Sequence, residues 1–262
     1  MIPVVSNISY RAAYVWRRNM DVYLTTWATN FLPPLLEPFQ YLLAFGLGLG
    51  TAVGVLHFRG LPVPYMGFIA PGTISIAIMF WAFFETTYSS FVRMYYQKTF
   101  DAMTATPLTI EDVIAGELLW GTTKSLLAAG IMLLVLSCFG FVRWPSGLWV
   151  VPVAAVGGLL FASLGMIATS LVPTIEVFNL PIFLLIFPMF VFGGTFFPIE
   201  NLPPWARWIS VVLPLTHISR LVRAAALDRL EPADLGVGVA FLAAALLLAL
   251  SAIALMRRRL VK

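Results

Sequence analysis

Three ionisable side chains lie inside long apolar stretches of this 262-residue sequence: Glu37, Glu85 and Lys124. A charge held in hydrocarbon needs a partner or water, so each marks a polar function or a structural ion pair. The stretches carrying Glu85 and Lys124 are consecutive and run in opposite directions through a membrane, which puts both side chains at comparable depth in the inner leaflet. Two readings stand: a salt bridge locking adjacent helices, or one stage of a proton or ion relay. Other chemistry is limited by residue type. His57 and His217 are the two histidines and both fall outside the apolar stretches, so an HExxH zinc site cannot form and no metal site is assigned. GELLWGTTKS (116–125) has the residue types of a phosphate loop. Thr122 and Thr123 nevertheless separate Gly121 from Lys124, and amides inside an apolar helix cannot cradle phosphate. With no acid, base and nucleophile converging, no catalytic residue is assigned and the chain does not read as an enzyme. Cys138, in IMLLVLSCFGF, has no partner for a disulfide and reads as a small buried apolar residue.

The elements that must position these groups follow from composition. With 60% hydrophobic and 11% charged residues and a mean hydropathy of +0.93, the sequence is that of an all-α polytopic membrane protein. Crossing the hydrocarbon takes about 20 apolar residues per helix. Six spans fit, over about 28–53, 66–91, 113–141, 147–171, 178–197 and 236–256, the first kinked at Pro33 and Pro34. ISYRAAYVWRRNM (8–20) places Ile8, Ala12, Val15 and Trp16 on one face with Arg11, Arg17 and Arg18 reaching toward lipid phosphates, an interfacial helix rather than a cleaved signal. Basic residues set the orientation: Arg11, Arg17, Arg18, Arg93, Lys98, Arg257, Arg258, Arg259 and Lys262 collect on one side if both termini are cytoplasmic. The net charge of +4 then reflects anchoring to anionic headgroups, and no basic aromatic patch supports a nucleic-acid partner.

Two connecting segments are unusual. Residues 198–235 lie outside after span five yet are too apolar for a solvated loop. Trp205, Trp208, Ile209, Val212 and Leu213 recur at helical spacing, broken by Gly193, Gly194, Pro198, Pro203, Pro204 and Pro214, which fits either re-entrant helices or an interfacial cap held by tryptophans. On the cytoplasmic side, residues 95–112 give a charged start, an apolar pair Phe100 and Met103, and a second helix start at Thr109 with Glu111 and Asp112 in its first turn. That segment is either a docking knob for a soluble partner or a plain amphipathic connector.

LEPFQYLLAFGLGLG (36–50), FETTYSSFVRM (84–94), KTFDAMTATPLTIEDVIAGE (98–117), FASLGM (161–166) and FPMFVFGGTFFPIENLPPWARWISVVLPLTH (187–217) resemble the ABC-2 family of ABC transporter permeases. Within it they are similar to the nodulation protein J type, which exports lipo-chitooligosaccharides. The resemblance implies a single six-helix permease domain in the bacterial inner membrane, paired with a second copy of itself and with two separate ATPase subunits that hold ATP and Mg, leaving no cofactor on this chain. It implies that Lys98, Thr99, Phe100, Asp101, Met103 and Thr104 form a coupling helix seated in the ATPase, and that Gly193, Gly194, Pro198, Trp205 and Trp208 belong to an external gate. Phe178, Phe183, Phe187, Phe190, Phe192, Phe196 and Phe197 become candidates to line a path for an amphipathic lipid, glycolipid or lipo-oligosaccharide. The alternatives are drug or small-molecule efflux, or an ion-coupled secondary transporter using Glu37 and Glu85, against which stands the absence of a detectable inverted repeat.

Overall fold

A helix that is apolar all round has no face to give to water and ends up at the centre of a bundle. In the computed structural model, which describes residues 7–261, that helix is α3 (Tyr65–Tyr96), reached after α1 (Ala12–Thr25), α2 (Trp27–Tyr41) and a hairpin of β1 (Val55–Phe58) and β2 (Leu61–Pro64). It is followed by the short α4 (Thr99–Thr104), then α5 (Ile110–Cys138), α6 (Val150–Leu171), α7 (Ile175–Phe192), α8 (Pro204–Val212), α9 (Pro214–Ala226) and α10 (Pro232–Leu260). Helix α3 packs against α5, α6 and α9, and α10 lies along α6. The most apolar window of α3 is 78% buried, against 17% for α7 and 28% for α10, so the last two are the periphery of this chain.

The chain is thus an all-α multi-pass membrane protein with one small hairpin. Five helices, α3, α5, α6 with its leading turn, α7 and α10, are long and apolar enough to cross a membrane. The expected first span is helical throughout: α2 continues through a π-helical segment, Leu42–Leu47, into Gly48–Val53. Residues 27–53 reach about 40 Å at 1.5 Å per residue, ample for a span, although Glu37, Gln40 and three prolines dilute its hydropathy. Helices α8 and α9 are apolar enough together but bend by 81° at Leu213, where Pro214 restarts the chain. The expected boundaries shift in places: α7 ends at Phe192 rather than 197 and α10 covers Pro232–Leu260, whereas α5 begins at Ile110, directly after the expected helix start at Thr109. Helix α5 starts there because Thr109 and Asp112 form a reciprocal cap, each side chain accepting the other's backbone N–H at 3.1 and 3.2 Å.

The hairpin was not expected. Its two-residue turn is Arg59-Gly60, both at positive φ (53° and 72°), the conformation that matches the twist of a tight antiparallel pair. Cys138 is a correction: it is exposed at the C-terminal end of α5 rather than buried, because Leu136 and Leu133 occupy the inward face there. Helix α1 buries Ala12 and Val15 against α5, with Gly116 at the crossing; a Cβ at Gly116 would stand 2.5 Å from Val15 Cβ. Arg11 donates to the Pro107 carbonyl and Arg18 to Asn19, so of the three arginines expected to face lipid phosphates only Arg17 is fully exposed.

Candidate functional site

Glu85 and Lys124 meet, with Lys124 Nζ donating to Glu85 Oε2 at 2.7 Å. They belong to a larger cluster. Glu85 Oε1 accepts from Trp120 Nε1 at 3.0 Å and lies 2.8 Å from Arg93, whose other terminal nitrogen donates to Glu117 Oε2 at 2.5 Å. Glu117 also accepts from Ser90 at 2.7 Å and from Asn19 at 2.9 Å. Both carboxylates are essentially buried, at 3% and 0% exposure, and none of the cluster's buried polar atoms is left without a partner. The backbone is adapted to this: α3 carries π turns at Glu85–Ser89 and Val92–Tyr96, which rotate the helix so that Glu85, Ser90 and Arg93 all face α5. Glu37 stands apart and accepts from Trp81 Nε1 at 3.3 Å. Arg93 and Glu117 were missed from sequence. Their signal was spacing, since Arg93 follows Glu85 and Glu117 precedes Lys124 by about two helical turns, on one face of each helix.

At one end of the bundle α4 packs on α5 and the last turns of α3. Phe100 and Met103, expected to insert into a partner's cleft, are instead buried at 2% and 9% exposure in this chain's own core. Asp101, Ala102 and Thr104 form the outward face of α4, with Lys98 4.0 Å from Asp101 and over the Tyr95 ring. Thr99 is half-buried, and Lys98 takes a left-handed conformation (φ 53°) that breaks the chain between α3 and α4.

At the opposite end, α7 runs into a turn at Gly193-Gly194. A Cβ on Gly193 would meet Leu215 Cδ2 at 2.9 Å, and Gly194 has φ +65°, so both positions require glycine. Arg223 of α9 reaches this turn, donating to the carbonyls of Gly194 (3.0 Å), Thr195 (3.1 Å) and Phe68 (2.9 Å) and lying 3.7 Å over the Phe68 ring. Pro198 is buried beside the turn, whereas Trp205 and Trp208 of α8 are exposed. The hairpin is tied to the same cap: Arg59 pairs with Asp234 at 2.6 Å, and Arg229 donates to the Phe58 carbonyl at 2.9 Å.

The phenylalanines separate into groups. Phe178 is buried against Tyr88 and Phe91. Phe183 and Phe187 are exposed together on α7, and Phe192 packs on Trp205. Phe190, Phe196 and Phe197 line an apolar cavity of about 500 Å³ with Phe45 and Leu49 of the first span.

The chain is a helical multi-pass protein with a short core-anchored helix at one end of the bundle and a bent apolar pair of helices after α7. The profile of the ABC-2 type transporter family matches residues 11–227, and the chain belongs to that family. It is 40% identical to Nodulation protein J of Sinorhizobium fredii over 82% of this chain and 80% of that one. Nodulation protein J of Bradyrhizobium diazoefficiens is 36% identical over 97% and 95% of the two chains. The inner membrane transport permease YadH of Escherichia coli is 25% identical over 78% of each. Membership makes this chain an ABC transporter permease and implies pairing with an ABC ATPase subunit.

Proposed function

We propose that the chain is the permease of an ATP-driven exporter that moves an amphipathic lipid, glycolipid or lipo-oligosaccharide from the cytoplasm or inner leaflet outward. The observation that carries this is its similarity to Nodulation protein J along nearly the whole of both chains. In this reading two copies of the chain pair about a twofold axis, through the sparsely buried α2 and α7, and two ATPase subunits hold ATP and Mg. Both termini are cytoplasmic in the inner membrane, residues 8–20 lie in the interface, residues 95–112 receive the ATPase, and residues 198–235 gate the exit.

Force from nucleotide-driven closure enters through the outward face of α4 and reaches the bundle because Phe100 and Met103 fasten that helix to the core. The helix acts as a lever rather than a plug. The inner carboxylates serve as ion pairs in this mechanism, since each is already held by cations, and the aromatic cavity by Phe190, Phe196 and Phe197 offers an apolar route for a tail. The test is co-purification with an ABC ATPase subunit co-expressed with this chain, followed by ATP-dependent export of a lipo-oligosaccharide from reconstituted vesicles. Two copies of this chain per complex and export that stops without ATP are expected. A purified chain that binds no ATPase and moves substrate on an ion gradient overturns the reading.

A further inference from the structure

Between α1, the start of α2 and the cytoplasmic halves of α3 and α5 lies an open cavity of about 420 Å³. Arg18, Arg93 and Lys124 line it with one carboxylate, Glu85, while Glu117 sits behind Arg93. Three cations therefore face two carboxylates. The carboxylates are also fully engaged, Glu85 by Arg93, Lys124 and Trp120, and Glu117 by Arg93, Ser90 and Asn19. Donors remain. Arg18 commits one N–H of its fork to Asn19 Oδ1 and Lys124 one of its three to Glu85. Burial and the neighbouring Arg93 push the Arg18 guanidinium below its ordinary pKa, with Glu117 opposing, so Arg18 is the under-compensated charge of the group. From the end of α3 the cavity reaches about three helical turns inward to Glu85, and Thr26 and Asn30 line its wall on the α2 side.

We propose that this cavity binds the anionic headgroup, a phosphodiester or similar oxyanion, of an inner-leaflet amphiphile, with Arg18 and Lys124 as its charge partners. An oxyanion accepts the uncommitted N–H groups and cancels the excess charge. A zwitterionic headgroup brings a further cation into a site that already has one too many. The site does not depend on what the chain exports, because it follows from the local inventory of donors and charges alone.

The experiment uses the full chain in nanodiscs of phosphatidylcholine doped with phosphatidylglycerol, with retained lipid counted by native mass spectrometry. Wild type is expected to prefer phosphatidylglycerol about tenfold or more, equivalent to roughly 1.4 kcal/mol. Arg18→Gln should remove most of that preference, as should Thr26→Trp, which fills the cavity without touching the ion pairs. Each variant must elute as a single species before it is compared. Displacement of the lipid by millimolar glycerol phosphate supports the oxyanion site and assigns it a soluble source; retention against glycerol phosphate supports it and assigns the lipid. Equal retention of the two lipids by wild type, or an unchanged preference in both variants, overturns the proposal.

Discussion

The two ends of the bundle hold buried cations by different means. At the end that carries α4, Arg93 and Lys124 meet carboxylates at 2.5 to 2.8 Å, and every contact joins side chains on long helices. At the opposite end Arg223, 3% exposed, meets three backbone carbonyls and an aromatic face. An ion pair between helices persists as long as the helices move together. A guanidinium held by the carbonyls of Gly194 and Thr195 depends on the conformation of one turn, so changing that turn releases it. The end at Arg223 is also less completely satisfied: Thr195 Oγ1 and Thr216 Oγ1 have no hydrogen-bond partner among the described residues. The comparison sets side-chain ion pairs between helices at one end against a cation held by backbone carbonyls at the other.

The most damaging test is Glu85→Leu, which leaves Arg93 and Lys124 facing each other without their shared anion. A loss of about 3–5 kcal/mol is expected, read as a collapse of the thermal transition in detergent, and adding Lys124→Met should recover part of it. No recovery in the double variant would mean that the two act independently. Phe100→Ala comes next, with about 3 kcal/mol lost from this chain because the ring is core, so melting falls even when no ATPase is present. Unchanged melting with lost ATPase binding would instead make Phe100 a partner contact. Arg223→Leu removes a cation that has no carboxylate at hydrogen-bonding distance and should cost less, about 1–3 kcal/mol for the stranded carbonyls. Its larger consequence is opening: a cysteine placed at Thr195 should label faster from outside in that variant, and equal labelling rates would remove Arg223 from the cap's control. The smallest effect on folding is expected from Ala102→Trp on the outward face of α4, which should leave melting unchanged while blocking ATPase co-purification. Orientation ties these tests to one side each: a cysteine at Asn201 should label in intact cells and one at Arg258 should not.

Much of the bundle was legible because the membrane imposes simple rules. Spans are long and apolar, so α3, α5, α6, α7 and α10 stood out by length, and the bend between α8 and α9 was announced by Pro214 inside an apolar run. The Glu85 and Lys124 pair was readable because consecutive spans are antiparallel and the two residues lie at matching depth. The hairpin was less visible, since four residues on each side of Arg59-Gly60 give too short a pattern to compete with the apolar stretches flanking it.

Sequence alone determined that this chain crosses a membrane repeatedly, where its charges interrupt the apolar runs, and which family its motifs resemble, because hydropathy and short motifs are local properties. Tertiary structure decided that Phe100 and Met103 turn inward, that Arg93 and Glu117 complete the ion cluster, and that Arg223 closes on the Gly193-Gly194 turn. Which face of a six-residue helix is covered, and which carbonyl a buried arginine finds, depend on residues far away in sequence, such as Arg223 and Phe68. Periodicity fixes which side chains share a face, but only packing selects what that face meets.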